Sequence, residues 1–251
     1  MRIKLCLSTV LILLCAAGAA RAQPQAVDLE LAFVVDASGS IDEAETRLQR
    51  QGYADALANP RVLQAIGSGF LRAIAVAYIE FAGLSCERVS VAWTRIDGPE
   101  SAGAFGARIL ALPRMFCPGG NAISDAMALA AASIRSNGFD GTRKVIDVSG
   151  DGPNTLGMPV EFARDAAVAA GMTVNGLVIE RPSMPDLDAY YRAAVTGGPR
   201  FFVITARDRR SFAEAILKKM ILEIAGRRPS GRHAAALLQD GEPQPDTGKP
   251  R

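Results

Sequence analysis

Histidine is almost missing from this chain of 251 residues: there is one, His233. It lies in the C-terminal stretch, so a Ser-His triad or a histidine-rich zinc site inside the domain is excluded. The four cysteines are equally sparing, and Cys6 and Cys15 fall in the first residues. That leaves Cys86 and Cys117, too few for a cysteine-rich cluster. No Gly-x-Ser-x-Gly elbow occurs, because Val148-Ser149-Gly150 lacks the first glycine. No Gly-x-x-x-x-Gly-Lys phosphate loop is present either. Excess charge is also lacking, with 28 Lys+Arg against 26 Asp+Glu. That balance leaves no electrostatic footprint for nucleic acid. After residue 20 no run is long and apolar enough to cross a bilayer.

The start of the chain reads as an export signal. Arg2 and Lys4 precede the apolar run Leu5 to Ala20, and Ala20-Arg21-Ala22 fits a small-x-small cleavage site. Residues 1–22 are therefore expected to be a signal peptide, and the protein exported, periplasmic or secreted, with no membrane span after cleavage. Without that segment the balance is 25 basic against 26 acidic side chains. Residues 23–226 form one domain of ordinary size, without internal repeats. Residues 227–251 are rich in Pro, Gly and charge and are expected to be disordered. An exported compartment permits a Cys86–Cys117 disulfide. Sequence gives no Cα separation, so pairing and two separate thiols remain equal alternatives.

Within the domain, strand and helix signals alternate. Strands are expected at Leu29 to Val35, Phe70 to Phe81, Arg88 to Ile96, Lys144 to Ser149, Thr173 to Ile179 and Arg200 to Ile204. Helices are expected from Ser40 to about Ala58, Ala102 to Leu112, Ala122 to Ser136, Val160 to Ala170, Asp186 to Val195 and Ser211 to Ala225. The turn Gly83-Leu84-Ser85-Cys86 is too short for a crossover, so the second and third strands are antiparallel neighbours. The expectation is an α/β fold: a doubly wound, mostly parallel six-stranded sheet with one antiparallel edge strand and helices on both faces.

The chain is organised around Val34-Val35-Asp36-Ala37-Ser38-Gly39-Ser40. A buried strand ends in a carboxylate, and hydroxyls follow two and four residues later. On a tight strand-to-helix turn, Asp36, Ser38 and Ser40 can face one side, an oxygen set suited to a small hard cation. With two neutral ligands, the ion stays electron-poor and favours a further oxygen from a partner. The simpler alternative has Ser40 capping the helix in a Ser40–Glu43 capping box, Ser38 shaping the turn and Asp36 accepting backbone hydrogen bonds. Open sheets of this kind bind ligands beyond the carboxyl ends of their strands, at the switch point of strand order. Asp151 and Gly119-Gly120-Asn121 also fall at such ends. Asp147, mid-strand between Ile146 and Val148, faces away from those neighbours and reads as a buried structural anchor. Asp42, Glu43 and Glu45 suit the dipole of a helix start. Trp93 reads as packing, and Tyr190 or Tyr191 as a rim residue.

Asp36-x-Ser38-x-Ser40, the later Gly119-Gly120-x-x-x-Ser124-Asp125-Ala126 and the Asp151-Gly152 turn resemble the von Willebrand factor type A (vWA) domain and its metal-ion-dependent adhesion site (MIDAS). The resemblance spans about residues 28 to 225. Gln49-Arg50-Gln51-Gly52-Tyr53, Val145 to Asn154 and Asp188-Ala189-Tyr190-Tyr191 are similar to a bacterial exported branch of A-domain proteins. It implies a Rossmann-like vWA fold and a divalent cation, Mg2+ or alternatively Mn2+ or Ca2+, held by Asp36, Ser38, Ser40, Asn121 and Asp151. Asn121 stands where the family usually places Thr, and Ser124 is the substitute donor one helical turn on. The resemblance also implies binding to an acidic group of a protein partner. A metal-free scaffold for protein–protein interaction and a metal-assisted hydrolase are the alternatives.

Overall fold

The computed structural model describes residues 23–115, 117, 119–207 and 209–226. The expected signal peptide, the C-terminal tail and His233 lie outside the described residues. Among the described residues eight strands form: β1 (Gln25–Val27), β2 (Leu29–Asp36), β3 (Ile74–Phe81), β4 (Arg88–Ile96), β5 (Phe139–Gly141), β6 (Lys144–Gly150), β7 (Thr173–Ile179) and β8 (Val203–Ala206). The helices are α1 (Glu43–Ala58), α2 (Pro60–Gly67), α3 (Pro99–Leu110), α4 (Ile123–Ile134), α5 (Val160–Ala169), α6 (Leu187–Tyr190) and α7 (Arg209–Ala225). A π-helical turn, Tyr191–Val195, continues α6.

Six strands form the main sheet in the order β4-β3-β2-β6-β7-β8, with β4 antiparallel and the rest parallel. From β2 the chain winds first toward β3 and β4, then returns to the other side of β2 as β6. The switch point therefore lies between β2 and β6, with Asp36 and Gly150 at their carboxyl ends. β2 is buried along its whole length, which explains why its residues are apolar apart from Glu30 and the terminal Asp36.

Alternate β2 side chains enter different cores. Leu29, Leu31, Phe33 and Val35 pack with Tyr53 and Leu57 of α1, Phe105 of α3 and Ile216 of α7. Ala32 and Val34 pack on the other face with Met127 of α4, Val160 of α5 and Tyr191. Two of the buried charged residues in these layers are held by opposite charges. Arg50 grips Glu80 through two contacts of 2.8 and 3.0 Å. Asp147, 1% exposed, forms an ion pair with Lys219 of α7, the anchoring role its mid-strand position suggests.

Several boundaries differ from the sequence expectation. The helix after Ser40 starts at Glu43, and its capping box is Asp42 with Glu45, not Ser40 with Glu43. Both boxes satisfy the residue preference, but the later one leaves Ser40 free to face the rim. β3 begins at Ile74 rather than Phe70; Phe70 is almost wholly exposed, and Arg72 takes a positive φ of 54°. The helix α2 was not anticipated. Asn59 caps it through Arg61 N–H, with Pro60 in the first turn, so Asn-Pro ends one helix and starts the next. A small parallel pair, β1 with β5, is also additional. The last strand starts at Val203 rather than Arg200, because Arg200 holds a positive φ of 62°.

Candidate metal centre

β2 ends in Asp36, and the chain turns at once. Asp36 Oδ1 accepts the backbone N–H of Ser38 at 2.8 Å, which fixes the carboxylate over the turn. Ser38 Oγ lies 2.9 Å from Ser40 Oγ. Ser40 Oγ in turn donates to Asp151 Oδ1 at 2.9 Å, across 111 positions of sequence. Four of the five candidate side chains, Asp36, Ser38, Ser40 and Asp151, are thus brought together at the switch point.

Asn121 lies at the same rim without joining that chain of contacts. It borders a cavity of about 190 Å3 with Ser38, Ser40, Gly120, Asp151 and Arg181. Its amide packs against Gly152, and its backbone N–H donates to Thr155 Oγ1 at 2.8 Å. Ser124 turns away; its hydroxyl reaches Asp125 at 3.3 Å. The start of α4 is capped from outside, by Asn154 Oδ1 on the Ser124 N–H, rather than by Asn121.

The loop bearing Asn121 is also fixed at other places. Arg50 donates to the carbonyls of Leu112 and Pro113 at 2.5 and 3.0 Å. Cys117 forms a disulfide with Cys86, across a Cα separation of 6.2 Å. Ala122 N–H donates to Ala82 O at 2.8 Å, just beyond the end of β3. Gly119 occupies the left-handed region at φ 109°, which a side chain would strain.

Asp36 is 1% exposed, and its second oxygen, Oδ2, has no hydrogen-bond partner among the described residues. Burial pushes its pKa up to about 6; the Ser38 hydrogen bond opposes the rise, and Asp151 adds to it. Beneath it sits Tyr191, fully buried, with its hydroxyl 3.4 Å from the Gly152 carbonyl. Burial, then Asp36 and Asp151, raise the Tyr191 pKa well above the usual phenol value. A Cβ at Gly150 would stand 2.7 Å from that hydroxyl and 3.2 Å from Asp36 Oδ2, so glycine is required for this approach.

These donors fit a divalent cation. A buried, orphaned carboxylate oxygen needs a positive partner, and two hydroxyls and a second carboxylate stand beside it. Among the described residues no group of three or more His, Cys, Asp or Glu could hold a metal. The hydroxyls are therefore necessary members of any such site. Of Tyr190 and Tyr191, one of which was expected at the rim, Tyr191 lies buried beneath it and the Tyr190 hydroxyl accepts the Asn154 N–H at 3.1 Å. One neighbour escaped the sequence reading. Arg181, in the loop after β7, contacts Asp151 Oδ2 and donates to Ser40 O at 2.7 Å.

A six-stranded, mostly parallel sheet wound this way, with one antiparallel edge strand and helices on both faces, has the vWA-type, Rossmann-like α/β fold. A family model described as "Protein of unknown function (DUF1194)" matches residues 26–228, and the chain belongs to that family. No curated protein matches the chain. Solved structures share the fold at low identity. The pilus adhesin SpaC from Lactobacillus rhamnosus GG superposes with a TM-score of 0.59 at 16% identity, over 80% of this chain and 31% of that one. Proximal thread matrix protein 1 from the mussel byssus, with a zinc-occupied MIDAS motif, gives 0.58 at 14% identity, over 81% and 50%. The vWF domain of the type V pili tip protein Mfa5 from Porphyromonas gingivalis gives 0.55 at 10% identity, over 81% and 98%. The chain spans about a third of the length of the pilus adhesin and about half of that of the byssus protein. At such identities the likeness establishes the fold.

Proposed function

We propose that this protein is an exported binding module. It holds a divalent cation at the β2–β6 rim and uses it to engage an acidic group of a protein partner. Asp36, Ser38, Ser40 and Asp151 would hold the ion, with the Asn121 carbonyl oxygen at the edge of the set. The observation that carries this reading is the orphaned Asp36 Oδ2 beside the hydrogen-bonded series Ser38–Ser40–Asp151. The bound ion would supply positive charge and an open coordination position for a partner's carboxylate. Adhesive and matrix proteins among the structural neighbours are consistent with this role, and one carries zinc at its MIDAS motif. Residues 1–22 would direct export and leave residues 23–226 as the working domain.

A metal-free interaction scaffold is the second reading. It is favoured by the Arg181 guanidinium, which already stands at Asp151, and by Asn121 in place of Thr. The two readings separate on thermal melting with a chelator, Mg2+ or Mn2+. The binding module gains melting temperature with the ion by mass action, and Asp36→Ala abolishes the gain. If neither ion raises the melting temperature of the unaltered protein, the scaffold reading stands. Affinity capture from the exported fraction, with Mn2+ and with a chelator, then reports whether a partner depends on the ion.

A further inference from the structure

Arg181 belongs to none of the motifs, yet its guanidinium rests on the carboxylate that any ion at this rim would use. It contacts Asp151 Oδ2 and, through the same nitrogen, Ser40 O at 2.7 Å. Asp151 Oδ2 has no other partner among the described residues. The two residues differ in access: the Asp151 side chain is 2% exposed and that of Arg181 33% exposed. Arg181 also borders a second cavity, about 390 Å3, with Ile41, Leu48, Ile179, Pro182 and Phe212. Ser40, Asp151 and Arg181 line both spaces, so the guanidinium has room beside the carboxylate that it contacts.

We infer that Arg181 is a tethered cation that occupies Asp151 whenever a divalent ion does not, and that it thereby sets the site's ion affinity. This inference rests on the ion-binding reading above. A guanidinium and a dication cannot both sit on one buried carboxylate without repelling at contact distance. Entry of the ion therefore moves the guanidinium toward the larger cavity. Pro182 restricts the backbone of Arg181 to extended conformations, so side-chain rotation accomplishes the movement. The displacement selects for charge density. A small dication concentrates its charge on oxygen ligands, whereas the guanidinium spreads one charge over a plane. Monovalent ions lack the charge to compete.

The test is calorimetric titration of the full chain with MnCl2, with and without Arg181→Gln, together with melting in chelator. Arg181→Gln is expected to bind Mn2+ about tenfold tighter or more, since it removes a like charge at contact distance. The same variant is expected to melt lower in chelator, because Asp151 loses its counter-ion. Arg181→Lys, which keeps the charge, restores weak Mn2+ binding. Binding by Arg181→Gln alone, with none by the unaltered protein, overturns a displaceable competitor: the guanidinium then closes the rim outright and the scaffold reading stands. An unchanged or weaker Mn2+ affinity in Arg181→Gln overturns the inference while leaving the ion site intact. If neither protein binds Mn2+, the ion-binding reading fails and the competitor role fails with it. A lower melting temperature in chelator then identifies Arg181–Asp151 as a fixed structural pair.

Discussion

Replacing Asp36 with Asn should stabilise the ion-free protein and abolish its response to ions. The buried Asp36 carboxyl titrates at about 6, against the ordinary 3.8. A group whose pKa is raised by folding contributes its stability in full below the unfolded value and loses it as pH rises through the folded value. Stability is therefore lost between about pH 4 and pH 6 as Asp36 ionises in its dry setting. At 1.36 kcal/mol per tenfold, the rise amounts to about 3 kcal/mol above pH 6. Asn mimics the neutral carboxyl at every pH, and its carbonyl can still accept the Ser38 N–H. Asp36→Asn should match the unaltered protein near pH 4 and exceed it by up to about 3 kcal/mol at pH 8, roughly 6–12 °C in Tm for a domain of this size. The assay is thermal melting in chelator from pH 4 to pH 8, repeated with saturating Mn2+. With the ion, the gap nearly closes: at a hundredfold excess over Kd the unaltered protein gains about 2.7 kcal/mol and the variant gains nothing. A variant less stable at pH 8 in chelator would refute this account of Asp36. So would a difference that stays flat across the pH range, or a variant that still responds to Mn2+.

Two further substitutions test the frame that holds the site. Serine at both Cys86 and Cys117 opens a loop closed over a sequence separation of 31 residues. Loop entropy puts the loss at about 3–4 kcal/mol, read by denaturant unfolding of the oxidised protein against the variant. The loop carrying Asn121 also loses its covalent anchor, so Mn2+ affinity should fall. Lys219→Met leaves Asp147 buried without its partner and should cost about 3–5 kcal/mol in the same unfolding assay. Adding Asp147→Leu should recover part of that loss. Glu223, whose pKa is raised by burial, remains beneath the sheet.

The fold was legible because its strongest signals are local. β2 is buried on both faces and reads as one run, apolar apart from Glu30 and the terminal Asp36; the turn at Gly83 is too short for a crossover; Thr173–Ile179 is bounded by glycine and loop residues on the sequence alone. The elements missed are those in which a short segment depends on its neighbours. β1 and β5 span three residues each and exist as a parallel pair. α2 hides behind Asn59-Pro60, a dipeptide that serves equally as a stop and a start.

At the site, the Asp-x-Ser-x-Ser spacing was visible because one turn supplies three side chains, and Asp151 because it follows a strand end. Position alone could not reveal what those groups contact. Ser40 could cap a helix or face a carboxylate 111 residues away, and a box two residues later decides between them. Pairing of Cys86 with Cys117 depends on two loops meeting, which spacing does not determine. Arg181 carries no local signal at all: an arginine before a proline in a surface loop reads as a solvated charge. Its role follows from the switch point itself. β6 and β7 are adjacent, so the loop leaving β7 must pass beside the one leaving β6, and a long cation placed there reaches the nearest buried carboxylate. Any chain with this winding and a basic residue just after that strand would present the same competition between a tethered charge and a free ion.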